Sequence, residues 1–137
     1  MSYFKARQAQ PISRPSVIRV SVFQLIVSAV GALTGLMIAK NIGLAVLLGG
    51  CISTAGQGYF NYSALKNFGC INAGLVVLTT YHAMFGKWLV IISLSLIAVT
   101  QINELNAGVL FGTIFVVHTL GAFLLPVLVK RVADRPT

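Results

Sequence analysis

Residues 20–39 read VSVFQLIVSAVGALTGLMIA, twenty positions without a charge. A helix of that length rises ~30 Å, the thickness of a bilayer's hydrocarbon core. Lys40-Asn41 supplies a tight polar turn, and residues 42–62, IGLAVLLGGCISTAGQGYFNY, repeat the apolar character. Two such runs joined by so short a turn predict a membrane hairpin. Further on, residues 68–102 form a nearly continuous apolar stretch of 35 residues, interrupted by His82 and Lys87. It is too long for one crossing and too short for two with a loop. We place the third span at 82–102 and read 68–81 as an interfacial segment or a helix extension, with a single long tilted helix as the alternative. Gln101, Asn103, Glu104 and Asn106 make a short polar loop, and the fourth span covers 107–129.

Composition supports this reading. Of 137 residues, 57% are hydrophobic and 9% charged, whereas soluble domains average about 25% charged. A chain this small has too much surface for so few charges to dress, and disordered chains are apolar-poor. The expected fold is all-α, with four transmembrane helices arranged as two hairpins. Residues 1–19 form a basic tail broken by Pro11 and Pro15, residues 20–129 the membrane domain, and residues 130–137 a second basic tail. The first apolar run starts too late and runs too long for a cleaved signal peptide.

The net charge is +8, from ten Lys and Arg against two acidic residues. The basic residues lie between and beside apolar runs and form no stripe with aromatic platforms, so they report topology rather than nucleic-acid binding. An even number of spans puts both termini on one side. Nine of the ten basic residues fall on that side, leaving Lys40 and the acidic Glu104 opposite. The positive-inside rule then places both termini in the cytoplasm.

Small residues mark helix-packing faces in lipid. Gly31 and Gly35 stand four apart, as do Gly108 and Gly112, and Gly49, Gly50, Gly56 and Gly58 crowd the second span. Packing within the bundle is the plain explanation, contact with another subunit the functional one. Polar residues within spans are functional candidates. They are Gln24, Gln57, His82, Lys87 and His118, with several Ser and Thr. No Asp or Glu lies inside a span, which argues against a self-sufficient ion-coupled transporter.

Lys87 lies five or six residues inside the third span. It either snorkels to the headgroups or pairs with a carboxylate, which would have to come from another protein. His82 and His118, one on each of two helices, do not make a metal site, and His118 is expected to bond a Ser or Thr of a neighbouring helix. Tyr81 and Trp88 flank Lys87 as an aromatic belt would. Cys51 and Cys70 match no metal spacing and read as buried small hydrophobes. No catalytic constellation or cofactor motif is present, so an enzyme is not expected.

Three features together resemble a known family, subunit I of the bacterial F-type ATP synthase (the ATP synthase I chain). The first is a Gln in the first span after a basic tail, here Arg19 through Gln24-Leu25. The second is Leu47-Leu48-Gly49-Gly50 followed by Tyr59-Phe60, and the third is Ala83-Met84-Phe85-Gly86-Lys87 near the start of the third span. The likeness runs from about residue 14 to residue 129. It departs at Met84, where the family's pattern carries Glu, and at Gly56-Gln57, where members often carry Pro-Asn. The resemblance implies a non-catalytic accessory subunit that assists assembly or stability of the rotor ring. Its partners would be the c subunits, subunit a as a second contact, and membrane lipid. Candidate contact residues are Lys87, Arg19, Gln24, Gly31, Gly35, Gly49, Gly50, Gln57, Gly108 and Gly112. A role in magnesium or calcium supply, also proposed for the family, suits this chain less, because hard cations want carboxylate oxygens. The alternatives are a small four-helix transporter or lipid-linked-sugar flippase component, and a holin-like or regulatory membrane protein.

Overall fold

The computed structural model describes residues 17–66 and 72–133, with side chains through residue 124. The N-terminal tail up to residue 16, Cys70 and the last four residues lie outside the described residues, as do the side chains of Lys130 and Arg131. Four helices follow in order: α1 (Ile18–Ile38), α2 (Lys40–Leu65), α3 (Ala73–Gln101) and α4 (Ala107–Ala133). All four are long and apolar enough to cross a membrane.

Helix is the expected answer for these sequences. In hydrocarbon every backbone N–H and C=O needs a partner within its own segment. Capping is accordingly sparse and confined to loop ends. Asn72 caps α3 by accepting from Gly74 N at 3.2 Å, and Asn106 accepts from Val109 N at the start of α4, also at 3.2 Å.

One extended residue, Ala39 (φ −161°, ψ 145°), separates α1 from α2. The turn therefore falls one residue earlier than Lys40-Asn41, which already belong to α2. Its N–H bonds Gly35 O at 3.0 Å, and its carbonyl accepts from Ile42 and Gly43 N at 3.1 Å. So short a connection forces the two backbones together. A Cβ on Gly35 would sit 3.0 Å from the Gly43 Cα, and one on Gly43 would run into Leu36. Glycine at 35 and 43 makes the turn possible.

The helices are arranged inside out relative to a soluble bundle. α1 buries Val20, Gln24, Ser28, Ala32 and Gly35; α3 buries Ala83, Lys87, Ile91, Ser95 and Ala98. Both stripes keep the same spacing, three steps of four residues and one of three, which holds one face of a helix in line. Meanwhile Met37, Phe115 and Phe123 are each more than 70% exposed. Small and polar groups inside with large apolar groups outside is the pattern of a bundle whose solvent is lipid. α2 is the hub. It packs against the other three helices, and α4 also meets α1. Ala45 and Ile52 of α2 join Ile91 and Ala98 of α3 and Leu110 and Ile114 of α4 in one cluster.

α3 is continuous from Ala73, so residues 73–81 extend the third helix in one piece; residues 67–71 lie outside the described residues. Its 29 residues rise ~43 Å, about 13 Å more than the hydrocarbon core needs.

Candidate functional site

Lys87 sits in the middle of α3, 14 residues before Gln101, or ~21 Å along the axis. It is 6% exposed. Snorkelling is thus not its arrangement: the side chain turns inward. Its Nζ donates to Gln57 Oε1 of α2 at 2.5 Å and lies 3.0 Å from His118 Nδ1 of α4. The Phe60 ring centre stands 5.7 Å away, within cation–π range. An ammonium has three donors and no acceptor. With Nζ in that form, Nδ1 of His118 accepts, and the ring proton belongs on Nε2. Gln57 is held in turn, its Nε2 donating to Asn61 Oδ1 at 3.3 Å, and Trp88 meets the His118 ring edge-on at 5.6 Å.

Every one of these partners is neutral. Among the described residues the acidic side chains reduce to Glu104, exposed in the loop after α3. A charge at bilayer depth costs about 2.5–3.5 kcal/mol by insertion scales, and a membrane hydrogen bond returns about 0.6–2 kcal/mol. Two bonds and a cation–π contact therefore come close to offsetting the cost without a counter-ion.

The site forms where two helices part. α3 and α4 each pack on α2, but their backbones make no comparable interface with each other among the described residues. Lys87 and Trp88 reach across that seam to His118, which is part-exposed. Gly86, one residue before Lys87, has no room for a Cβ because Tyr59 of α2 lies against it. A Cβ on Gly56 would likewise lie 2.7 Å from the Ile91 side chain and 3.6 Å from the Lys87 stem.

The other expected residues divide into two sets. Gln24 is buried and donates through Nε2 to Val117 O of α4 at 3.2 Å, while Oε1 has no partner among the described residues. A Cβ on Gly121 would run into that Nε2. Gly50 leaves space for Ser28, whose Oγ donates to Gln24 O at 2.7 Å. A Cβ on Gly49 would sit 2.9 Å from Leu110 O of α4, and one on Gly31 would sit 3.2 Å from the Val46 side chain of α2. Gly31, Gly35, Gly49 and Gly50 thus serve packing within the bundle. Gly112 is exposed with nothing within 4 Å of its Cβ position, and exposed Gly108 meets only Asn106 of its own turn. Gly112 also borders an apolar groove of about 320 Å³ lined by Val27, Gly31, Val109 and Val116. Arg19 is exposed at the start of α1, apart from the Lys87 cluster.

Several details differ from the sequence expectation. His118 bonds Lys87 rather than a Ser or Thr. Trp88 packs on His118, whereas Tyr81 is 69% exposed and free to sit in an aromatic belt. Cys51 is exposed on the outside of α2, not buried. The sequence singles out neither Asn61 nor Gly121, and it gives Phe60 and Gly86 only as parts of family motifs; nor does it single out the buried Ser53 and Ser95, whose hydroxyls have no partner among the described residues. The signal for Asn61 was its position one turn after Gln57; the rest needed the helix pairing. No group of three or more His, Cys, Asp or Glu is placed to hold a metal ion among the described residues.

No family model matches this chain, and comparison with curated proteins and with solved structures likewise gives no match.

Proposed function

We propose that the chain is a non-catalytic accessory subunit of a bacterial F-type ATP synthase. It packs against the rotor c ring and assists its assembly or stability, with subunit a as a second contact. In this reading the four helices form two hairpins in the inner membrane and both termini face the cytoplasm, as the bias of basic residues favours. The family resemblance supplies the partner.

The observation that carries the reading is the uncovered glycine face of α4. Four glycines of the other small-residue pairs are consumed by packing inside the bundle. Gly112 has open space at its Cβ position, and exposed Gly108 lies one turn before it. Close backbone approach is what such residues permit between helices in lipid, and c-type rotor helices, themselves glycine-rich, suit that approach.

Gentle extraction of tagged protein, with Gly112→Leu as the variant, tests the reading. The native chain is expected to bring c subunits with it and the variant to lose them while keeping its own thermal stability. Retention of c subunits by the variant would remove the α4 face from the account.

A further inference from the structure

We propose that the Lys87–Gln57–His118 cluster receives a carboxylate carried on a transmembrane helix of a partner protein, entering through the seam between α3 and α4. It draws on the accessory reading only in needing a partner helix.

Charge complementarity is the first argument. The Lys87 amine is buried among neutral groups, and the described part of the chain offers no carboxylate near it. Gln57 Oε1 and His118 Nδ1 take two of its three donors, and the third has only the Phe60 ring nearby. A carboxylate has about four acceptor positions. It would take that third donor, and the His118 ring N–H offers it a second one. The two bonds would be charge-assisted, shorter and stronger than the neutral ones present now.

Access is the second argument. His118 and Trp88 wall the seam; His118 is part-exposed and Trp88 43% exposed. Phe111 and Phe115 lie two turns and one turn before His118 on α4, 54% and 71% exposed. A helix laid along this opening meets aromatic surface and, behind it, the cluster.

Depth selects the source of the carboxylate. Lys87 is ~21 Å from the Gln101 end of α3, and His118, 11 residues into α4, is ~16 Å from its start. In a core of ~30 Å the cluster lies about 10 Å below the nearer boundary. A lipid headgroup would have to sink that far into hydrocarbon. A side chain on a spanning helix is already there.

The test uses the full chain in phosphatidylcholine vesicles and a fluorescent leucine-based spanning peptide carrying one Glu at the depth of Lys87. Association is read by energy transfer, against the same peptide with Gln. The Glu peptide is expected to bind about tenfold more tightly. That preference should vanish with Lys87→Gln, persist with Thr100→Ala on the exposed face of α3, and weaken when the Glu is moved to the opposite leaflet. Equal binding of the Glu and Gln peptides to the native chain overturns the proposal, and this comparison needs no folded variant. A Glu preference that survives Lys87→Gln in a folded variant overturns it as well. So does a preference abolished by phosphatidylglycerol, which would give the cluster to a lipid headgroup. A Glu preference in a chain that never captures c subunits would instead sink the rotor reading and leave this one standing.

Discussion

Lys87 Nζ and His118 Nδ1 lie 3.0 Å apart across a seam where α3 and α4 otherwise keep their backbones apart. The pair does what backbone packing does elsewhere in the bundle: it ties the third helix to the fourth. It does so with a potential charge that has no counter-ion in the described chain.

That arrangement makes the acceptor more important to stability than the amine. Gln57→Leu leaves Nζ buried without its shortest bond and is expected to destabilise by about 1–3 kcal/mol. Lys87→Met removes the charge together with its desolvation cost but leaves Gln57 Oε1 and His118 Nδ1 without their donor, and is expected to cost less than Gln57→Leu. The double variant should recover most of the Gln57→Leu loss. Thermal or SDS unfolding of the purified protein in detergent distinguishes these outcomes; equal losses for the two single variants would contradict them.

Packing at the α1–α2 contact gives a second expectation. A Cβ on Gly50 would overlap Ser28, so Gly50→Ala should cost about 1–3 kcal/mol as an overpacking change. Gly112→Ala, with open space around it, should cost almost nothing. Ser28→Gly in the Gly50→Ala background should restore part of the loss. The same unfolding measurement decides, and indistinguishable stabilities for the 50 and 112 variants would mean that α1 and α2 are not so close.

Topology is testable with single cysteines in a chain whose Cys51 and Cys70 are both changed to Ser. Cysteines at Lys40 and Asn103 should react with an impermeant maleimide added outside intact cells. A cysteine at Lys66 should react only after permeabilisation. The reverse pattern would invert the orientation drawn from the basic residues.

Much of the architecture was legible in the sequence, because spans are set by length and charge alone. The run at 20–39 became α1 within two residues at each end. The stretch of 35 residues from 68 to 102 was ambiguous, since hydropathy does not say where a helix leaves the membrane; the structure makes it continuous from Ala73. The polar candidates Gln24, Gln57, Lys87 and His118 were all visible as exceptions within apolar runs. Their partners were not, because pairing depends on helix rotation and on which helices touch. Lys87 looked unpartnered as long as only carboxylates were considered. Gln57 and His118 take two of its three donors from helices 30 and 31 residues away in sequence. The glycines showed the same limit: spacing marked Gly31-Gly35 and Gly108-Gly112 alike, and only the fold separates the pair that packs inside from the pair left outside.

The central claim, an accessory subunit seated on a rotor ring, is tested most directly by native mass spectrometry of the tagged chain after gentle extraction. The account predicts c subunits in ring-like stoichiometry with the chain, lost on Gly112→Leu. A chain that runs alone or as a small homo-oligomer in every mild detergent, from cells that hold intact rings, would contradict it.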